Sequence, residues 1–118
     1  MEIVVVGVCG AGKSTLVRGL RALGYPARVC VQEHSYVPHL WRRHGRPRVL
    51  ICLEAGLEAV CQRRHVQWDE DVLAVQRSRL ADARQNCDLA IDTDPLTVEE
   101  VLSRAVDYLR ARGVPPAG

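Results

Sequence analysis

The feature that most constrains this 118-residue chain is a run of β-branched residues that passes through a glycine-rich turn into a helical pattern. Residues 3–6 are continuously apolar and precede Gly7, which is typical of a strand buried on both faces of a parallel sheet. After the turn, apolar residues recur at helical spacing: Leu16, Val17, Leu20 and Leu23. Parallel strands need long crossovers and helices over both faces of the sheet, so this beginning favours an α/β fold.

The turn itself, residues 7–14, is called the glycine loop below. It consists of Gly7, Val8, Cys9, Gly10, Ala11, Gly12, Lys13 and Ser14, and it matches G-x-x-x-x-G-K-[ST] between a strand and a helix. Glycines let successive N–H groups point inward at the positive end of a helix, which makes a cradle for phosphate oxygens. The motif predicts that Lys13 reaches the β- and γ-phosphates of a nucleoside triphosphate, that Ser14 helps to hold Mg²⁺, and that the helix proper opens at Thr15.

The lysine of this motif stands out against the composition of the chain. Among 16 basic residues, Lys13 is the only lysine and all the others are arginine. A compact ammonium differs from the broad planar guanidinium, so a generic surface charge is a poor explanation for this position. The composition therefore strengthens the prediction of a phosphate site.

The rest of the chain alternates strand and helix patterns. We predict strands at residues 28–31, 49–53 and 88–92, helices at 57–64 and 69–84, and a last helix from residue 98 to about 109. Thr97 and Glu100 form a capping-box pattern before that last helix. The predicted fold is a three-layer α/β/α sandwich with a mainly parallel sheet of about four or five strands. We expect one domain over residues 1–113 and a short flexible tail at 114–118.

Charge and cysteine usage restrict the class of partner and the compartment. A net charge of +2 gives no general nucleic-acid footprint, and the basic run from Trp41 to Arg48 fits a solvated turn better than a stacking site for nucleic acid. The 5 cysteines form no Cys-x-x-Cys pair, and the 4 histidines do not combine with them at zinc-ligand spacing. With no signal-peptide or membrane-spanning pattern, we expect a cytoplasmic protein with no membrane and no nucleic-acid partner.

The glycine loop resembles that of the P-loop NTPase superfamily, and the form Gly7-x-x-Gly10-x-Gly12-Lys13-Ser14 is similar to that of its small-molecule kinases, such as nucleoside, nucleotide and shikimate kinases. This resemblance implies a minimal P-loop NTPase fold, ATP and Mg²⁺ as cofactors, and an unidentified small-molecule acceptor of the γ-phosphoryl group. It also implies that Arg63 or Arg64, at the end of a helix, opens a lid that clamps phosphate. Further lid candidates are Arg77, Arg79 and Arg84, for which a solvated helix face is the favoured alternative.

Two other segments look like parts of the same kinases. The last strand and its loop are similar to the segment that contacts the adenine, which implies nucleotide contacts at Asp92, Thr93, Asp94 and Pro95. A strand that ends in Glu33, with Trp41 eight positions later, looks like deoxyribonucleoside kinases, in which the glutamate is the base towards the acceptor hydroxyl. Glu33 is therefore the candidate catalytic carboxylate and, with Ser14, the candidate Mg²⁺ ligand.

The chain also departs from the pattern of that family. An apolar strand that ends in Asp is absent, so only Glu33 or Glu54 could supply the second metal carboxylate. The insertion that covers the acceptor is short or absent, so a homodimer partner or a very small acceptor would be needed. These departures favour the alternative function, a nucleotide-binding regulatory or assembly module with slow or no turnover. The guanine-specific Asn-Lys-x-Asp motif of GTPases is also absent.

Overall fold

The computed structural model describes residues 2–43, 45–64 and 69–116, without the side chains of Arg63 and Arg64. The described residues form four strands, five α-helices and two short 3₁₀ helices. In chain order these are β1 (Ile3–Gly7), α1 (Lys13–Ala22), β2 (Ala27–Val29), η1 (Gln32–His34), η2 (Leu40–Arg42), β3 (Val49–Glu54), α2 (Leu57–Arg64), α3 (Glu70–Arg79), α4 (Ala81–Asn86), β4 (Leu89–Asp92) and α5 (Val98–Ala111).

The four strands form one parallel sheet in the order β2-β1-β3-β4. β1 is interior, and Val5 pairs with Val29 on one side and with Ile51 on the other. All of β1 is buried, as its unbroken β-branched pattern predicts. The prediction of an α/β fold with a parallel sheet is confirmed.

Helices cover the sheet and are held by close contacts. Gly19 of α1 lies against Leu102 of α5, so that a methyl group on Gly19 would come within 3.1 Å of that side chain. α4 packs on β3, where the Cys52 thiol donates a weak hydrogen bond to the carbonyl of Ala83 over 3.7 Å. Burial raises the pKa of this thiol, as expected for a cysteine that serves as a small apolar residue. The arrangement is compatible with a three-layer sandwich.

Several predicted elements have different bounds in the structure: α1 begins at Lys13 rather than at Thr15, and the differences are larger for β2 and for the helix predicted at 69–84. β2 stops at Val29, because the chain turns into η1 after the Cys30 amide donates to the carbonyl of Val5. The predicted helix over residues 69–84 is two helices, since Leu80 both ends α3 and begins α4. Leu80, the residue between the two helices, is buried at 2% exposure.

Helix ends follow the sequence signals more closely. Asp69 caps α3 by accepting from the amide of Val72, and Thr97 and Glu100 form the predicted reciprocal capping box of α5. After α5, the first residue of the expected tail, Val114, is buried, and its amide donates to the carbonyl of Leu109. No helix in the described part of the chain is long and apolar enough to cross a membrane.

Gly7 permits the close approach of β1 and β3. A Cβ atom at this position would lie 2.6 Å from the carbonyl oxygen of Leu53, whereas one at Gly19 would meet only the flexible end of Leu102. We expect Gly7→Ala to lower the free energy of unfolding by about 2 kcal/mol, because overpacking forces the backbone to shift. Gly19→Ala should stay within about 1 kcal/mol of the wild type, since alanine favours helix. Urea denaturation of both variants measures this, and equal losses would contradict the packing argument.

Candidate functional site

The candidate site lies at the edge of the sheet where all four parallel strands end. The glycine loop follows β1, Glu33 follows β2, Glu54 ends β3, and Thr93 follows β4. The chain crosses from β1 to β2 on one side and then returns to β3 on the other side of β1. Such a switch in direction opens a crevice beyond the carboxyl ends of the strands, which is where open α/β sheets bind ligands.

The backbone of the glycine loop has the curl that its sequence predicts. Gly10 and Gly12 have positive φ angles of 86° and 97°, a region that residues with a side chain rarely adopt. Gly12 is the N-cap of α1, and no side chain caps this helix. The N–H groups of a first helical turn have no partner within the helix, so the exposed start of α1 offers donors and a positive dipole to an anion.

Lys13 turns its side chain back beneath the loop. Its ammonium group donates to the carbonyls of Gly7 and Val8 over 2.9 and 3.2 Å, and to Oε2 of Glu33 over 2.6 Å. These partners use all three of its N–H donors. The two side chains are 9% and 2% exposed, so the structure joins two predicted site residues, 20 positions apart, in one buried ion pair.

Glu33 has one carboxylate oxygen to spare. Oε1 is buried and has no hydrogen-bond partner among the described residues, while Oε2 lies 3.7 Å from Nε2 of the half-exposed His34. An unpaired buried acceptor is costly, and native structures contain few of them. Oε1 is therefore available to a proton donor or a cation.

The donor set fits Mg²⁺ only in combination with a phosphate ligand. Ser14 is exposed in the first turn of α1, and Glu33 supplies the unpaired carboxylate oxygen. Within the described ranges, no group of three or more His, Cys, Asp or Glu residues could hold a metal ion. Mg²⁺ commonly binds through one or two protein oxygens together with substrate phosphates and water, so this sparse set is compatible with the ion.

An apolar cleft of about 250 Å³ adjoins the glycine loop. One wall comes from the loop and α1, and the other from the segment after β4; the lining residues are Ala11, Gly12, Thr15, Leu16, Thr93, Leu96, Val98 and Val101. Most of this lining is apolar, as is usual for small-molecule pockets. The apolar cleft thus adjoins the uncapped start of α1.

Only one of the four residues predicted to contact the base lines this cleft. Thr93 does so, and its amide and hydroxyl both donate to the carbonyl of Glu54, over 2.9 and 3.1 Å. Asp94 accepts the amide of Gly56 over 2.8 Å, and its own amide donates to Asp92. These carboxylates stabilise the turn after β4, and Pro95 is exposed outside the cleft lining.

The alternative carboxylate, Glu54, is already paired. Arg77 and Arg84 lie 3.3 and 3.1 Å from its two oxygens, and its Oε1 also accepts the amide of Ala55. Two of the three additional lid candidates therefore bind α3 and α4 to the end of β3. The third, Arg79, donates to the carbonyl of Glu33 over 3.3 Å.

The basic run after residue 40 is built around a buried indole. Trp41 is 1% exposed, and its N–H donates to Asp82 over 2.8 Å, which lowers the pKa of that carboxyl. Arg42 and Arg46 lie 5.7 and 5.6 Å from the centre of the ring. The ring of Trp41 is therefore part of the core and is not an exposed stacking surface. The predicted phosphate-clamping side chains of Arg63 and Arg64 lie outside the described residues.

Sequence reasoning missed one residue that contacts the loop. Gln76 of α3 is 4% exposed, and its Oε1 accepts the amide of Cys9 over 2.8 Å. Its position carried a signal, because Gln76 lies on the helical stripe between Leu73 and Leu80, both of which are buried. A glutamine on a buried stripe needs a polar partner.

Comparison of the sequence with models of known protein families and with curated proteins finds no match. The features of the molecule that bear on its function are therefore the glycine loop, the Lys13–Glu33 pair and the adjoining cleft.

The buried ion pair should be strongly coupled. Lys13→Met and Glu33→Gln should each lower the free energy of unfolding by about 3 kcal/mol, because each leaves a buried polar group without its charged partner. The loss of unfolding free energy in the double variant should be at least about 1 kcal/mol smaller than the sum of the losses in the two single variants. Urea denaturation at pH 7 measures all three.

A surface pair provides the matched control. Glu2 lies 3.0 Å from Arg28, but their side chains are 41% and 30% exposed. Glu2→Gln should cost less than about 1 kcal/mol, since solvent screens such pairs. Additive effects of the Lys13 and Glu33 substitutions would contradict a buried, coupled pair.

Proposed function

We propose that this chain is a P-loop protein of minimal size that binds Mg²⁺ and ATP, and that it acts as a small-molecule kinase. In this proposal the γ-phosphoryl group passes to a hydroxyl, carboxylate or phosphate oxygen of a small acceptor. The single observation that carries it is the buried Lys13–Glu33 pair beneath an uncapped helix start. The Lys13 ammonium group and the Glu33 carboxylate, which has one unpaired oxygen, thus meet where phosphate is expected to bind.

The ion pair gives each partner a role in this reaction. Lys13 exchanges Glu33 for phosphate oxygens, because a di- or triphosphate is a stronger competing anion at the start of α1. Glu33 is then free to accept the proton of an acceptor hydroxyl, or to hold a metal-bound water. Ser14 and Glu33 would hold Mg²⁺, which would offset the negative charge that develops on the phosphate oxygens. The apolar cleft beside Thr93 would receive the base.

A second function is favoured by a specific contact. Glu54, at the end of a central strand, is held by two arginines, which leaves Glu33 as the site's remaining carboxylate for both metal and acceptor. One carboxylate serving two tasks supports slow turnover. The alternative is therefore a nucleotide-binding regulatory or assembly module, in which occupancy of the loop organises a partner surface.

Nucleotide binding is the first test of the proposal. A thermal-shift panel of ATP, dATP, ADP and GTP, with and without Mg²⁺, should give the largest rise with ATP and Mg²⁺. At 100 times Kd the gain is about 2.7 kcal/mol, or roughly 10 °C in Tm for a chain of this size. The Lys13→Met/Glu33→Gln double variant is the control, because it lacks the buried charges and should not respond. No shift with any nucleotide in the wild type would contradict the proposal.

Removal of the competing carboxylate tests the exchange of partners at Lys13. In EDTA, Glu33→Gln should bind ATP at least as tightly as the wild type, because Lys13 in this variant does not have to break an ion pair before it binds phosphate. Addition of Mg²⁺ should then tighten binding less than in the wild type, since a metal-ligand oxygen has lost its charge. Isothermal titration calorimetry measures both affinities, and weaker binding of ATP in EDTA would count against the exchange.

A further inference from the structure

A chain of hydrogen bonds leads from Glu33 through the glycine loop into α3. Lys13 donates to Glu33 and also to the carbonyl of Val8, over 3.2 Å. The amide of the same peptide unit, that of Cys9, donates to Oε1 of Gln76 over 2.8 Å. One peptide bond therefore accepts from the lysine at its oxygen and donates to α3 at its nitrogen.

This peptide is oriented by its partners. Peptide polarisation makes hydrogen bonds at the two ends of one amide mutually reinforcing, more so in a buried environment. Cys9 is 7% exposed and Gln76 is 4% exposed, whereas Gly12 and Ser14 on the helix side of the loop are exposed. The Cys9 amide thus points into the protein, away from the open side of the loop where an anion enters.

The helix α3 also contacts the segment that carries Glu33, at the other end of this chain of hydrogen bonds. Arg79, three positions after Gln76, donates to the carbonyl of Glu33 over 3.3 Å. Its guanidinium lies 4.6 Å from the centre of the Tyr36 ring. One turn of α3 therefore holds both the glycine loop and the 3₁₀ helix that presents Glu33.

We propose that Gln76 is a positioning residue for the phosphates: it fixes the Val8–Cys9 peptide and so holds the glycine loop in the curl that receives an anion. This inference rests on the proposed function. Gln76 does not contact the nucleotide or the acceptor. Its hydrogen bond with the Cys9 amide persists when Lys13 leaves Glu33 to bind phosphate. Without that acceptor, the buried Cys9 amide has to rotate towards another partner, which distorts the loop.

The variant that tests this role is Gln76→Met, which keeps the length and volume of the side chain but removes the acceptor. Gln85→Met is the matched control, because Gln85 is exposed on the neighbouring helix α4. Affinities for ATP with Mg²⁺, for ADP with Mg²⁺ and for adenosine are measured by calorimetry or NMR titration. The titrations are made at a temperature at which circular dichroism shows the wild type and both variants to be folded.

We expect Gln76→Met to weaken the binding of ATP and of ADP about tenfold, because one buried hydrogen-bond donor is left without an acceptor. Adenosine should bind within about twofold of the wild type, since it has no phosphate and meets the loop only at Ala11 and Gly12, away from the Val8–Cys9 peptide. A purely structural defect would weaken adenosine as well, so equal losses for all three ligands would overturn the positioning role. Unchanged affinity for ATP would also overturn it.

A measurement on the wild type covers the case in which Gln76→Met does not fold. Amide hydrogen exchange should show the Cys9 N–H to be protected both without nucleotide and with ATP bound. Fast exchange in either state would overturn the inference. If the wild type binds no nucleotide at all, the proposed function itself fails, which separates that outcome from loss of the role of Gln76 alone.

Discussion

The buried pair of Lys13 and Glu33 organises the edge of the sheet on which the rest of the site is built. Removing two charges from water is expensive, and a single ionic contact seldom compensates for it. Here the lysine gains two loop carbonyls in addition to the carboxylate, so its hydrogen-bonding capacity is filled. Oε1 of Glu33 has no hydrogen-bond partner among the described residues, so the carboxylate is the member of the pair with unused hydrogen-bonding capacity.

α3 acts as the brace for this arrangement. Three of its side chains contact three different strand ends: Gln76 holds the loop after β1, Arg77 pairs with Glu54 at the end of β3, and Arg79 binds the segment after β2. Its weak apolar stripe is explained by these contacts, because much of the helix binds polar groups. A change in the conformation of the glycine loop would therefore affect the position of the segment that presents Glu33.

The parallel topology explains why so small a chain can assemble a site. Parallel strands all end at one edge, so the four segments that follow them meet there without further elements. The apolar cleft and the start of α1 share Gly12 and Thr15, so an apolar pocket adjoins an uncapped helix N-terminus. Their adjacency gives the nucleotide proposal its geometric basis.

Several features of the fold could be predicted because they are encoded locally. The β-branched run gave an interior strand, the capping residues around Thr97 gave the start of α5, and the bounds of α2 agree with its periodicity. The break at Leu80 could not be predicted in this way. Leu80 is a buried member of a core to which distant segments contribute, and residue spacing alone does not place a helix boundary there.

The sequence by itself determined the glycine loop, its lone lysine and the parallel α/β architecture, since each follows from residue type and short-range spacing. Tertiary structure decided the partners. Gln76 meets Cys9 across 67 positions, and Trp41 is buried against Asp82 across 41. Glu54 is paired with arginines and Glu33 is not, although both follow apolar strands. Such choices depend on which side chains the sheet and its helices bring within hydrogen-bond distance, and no local pattern specifies that.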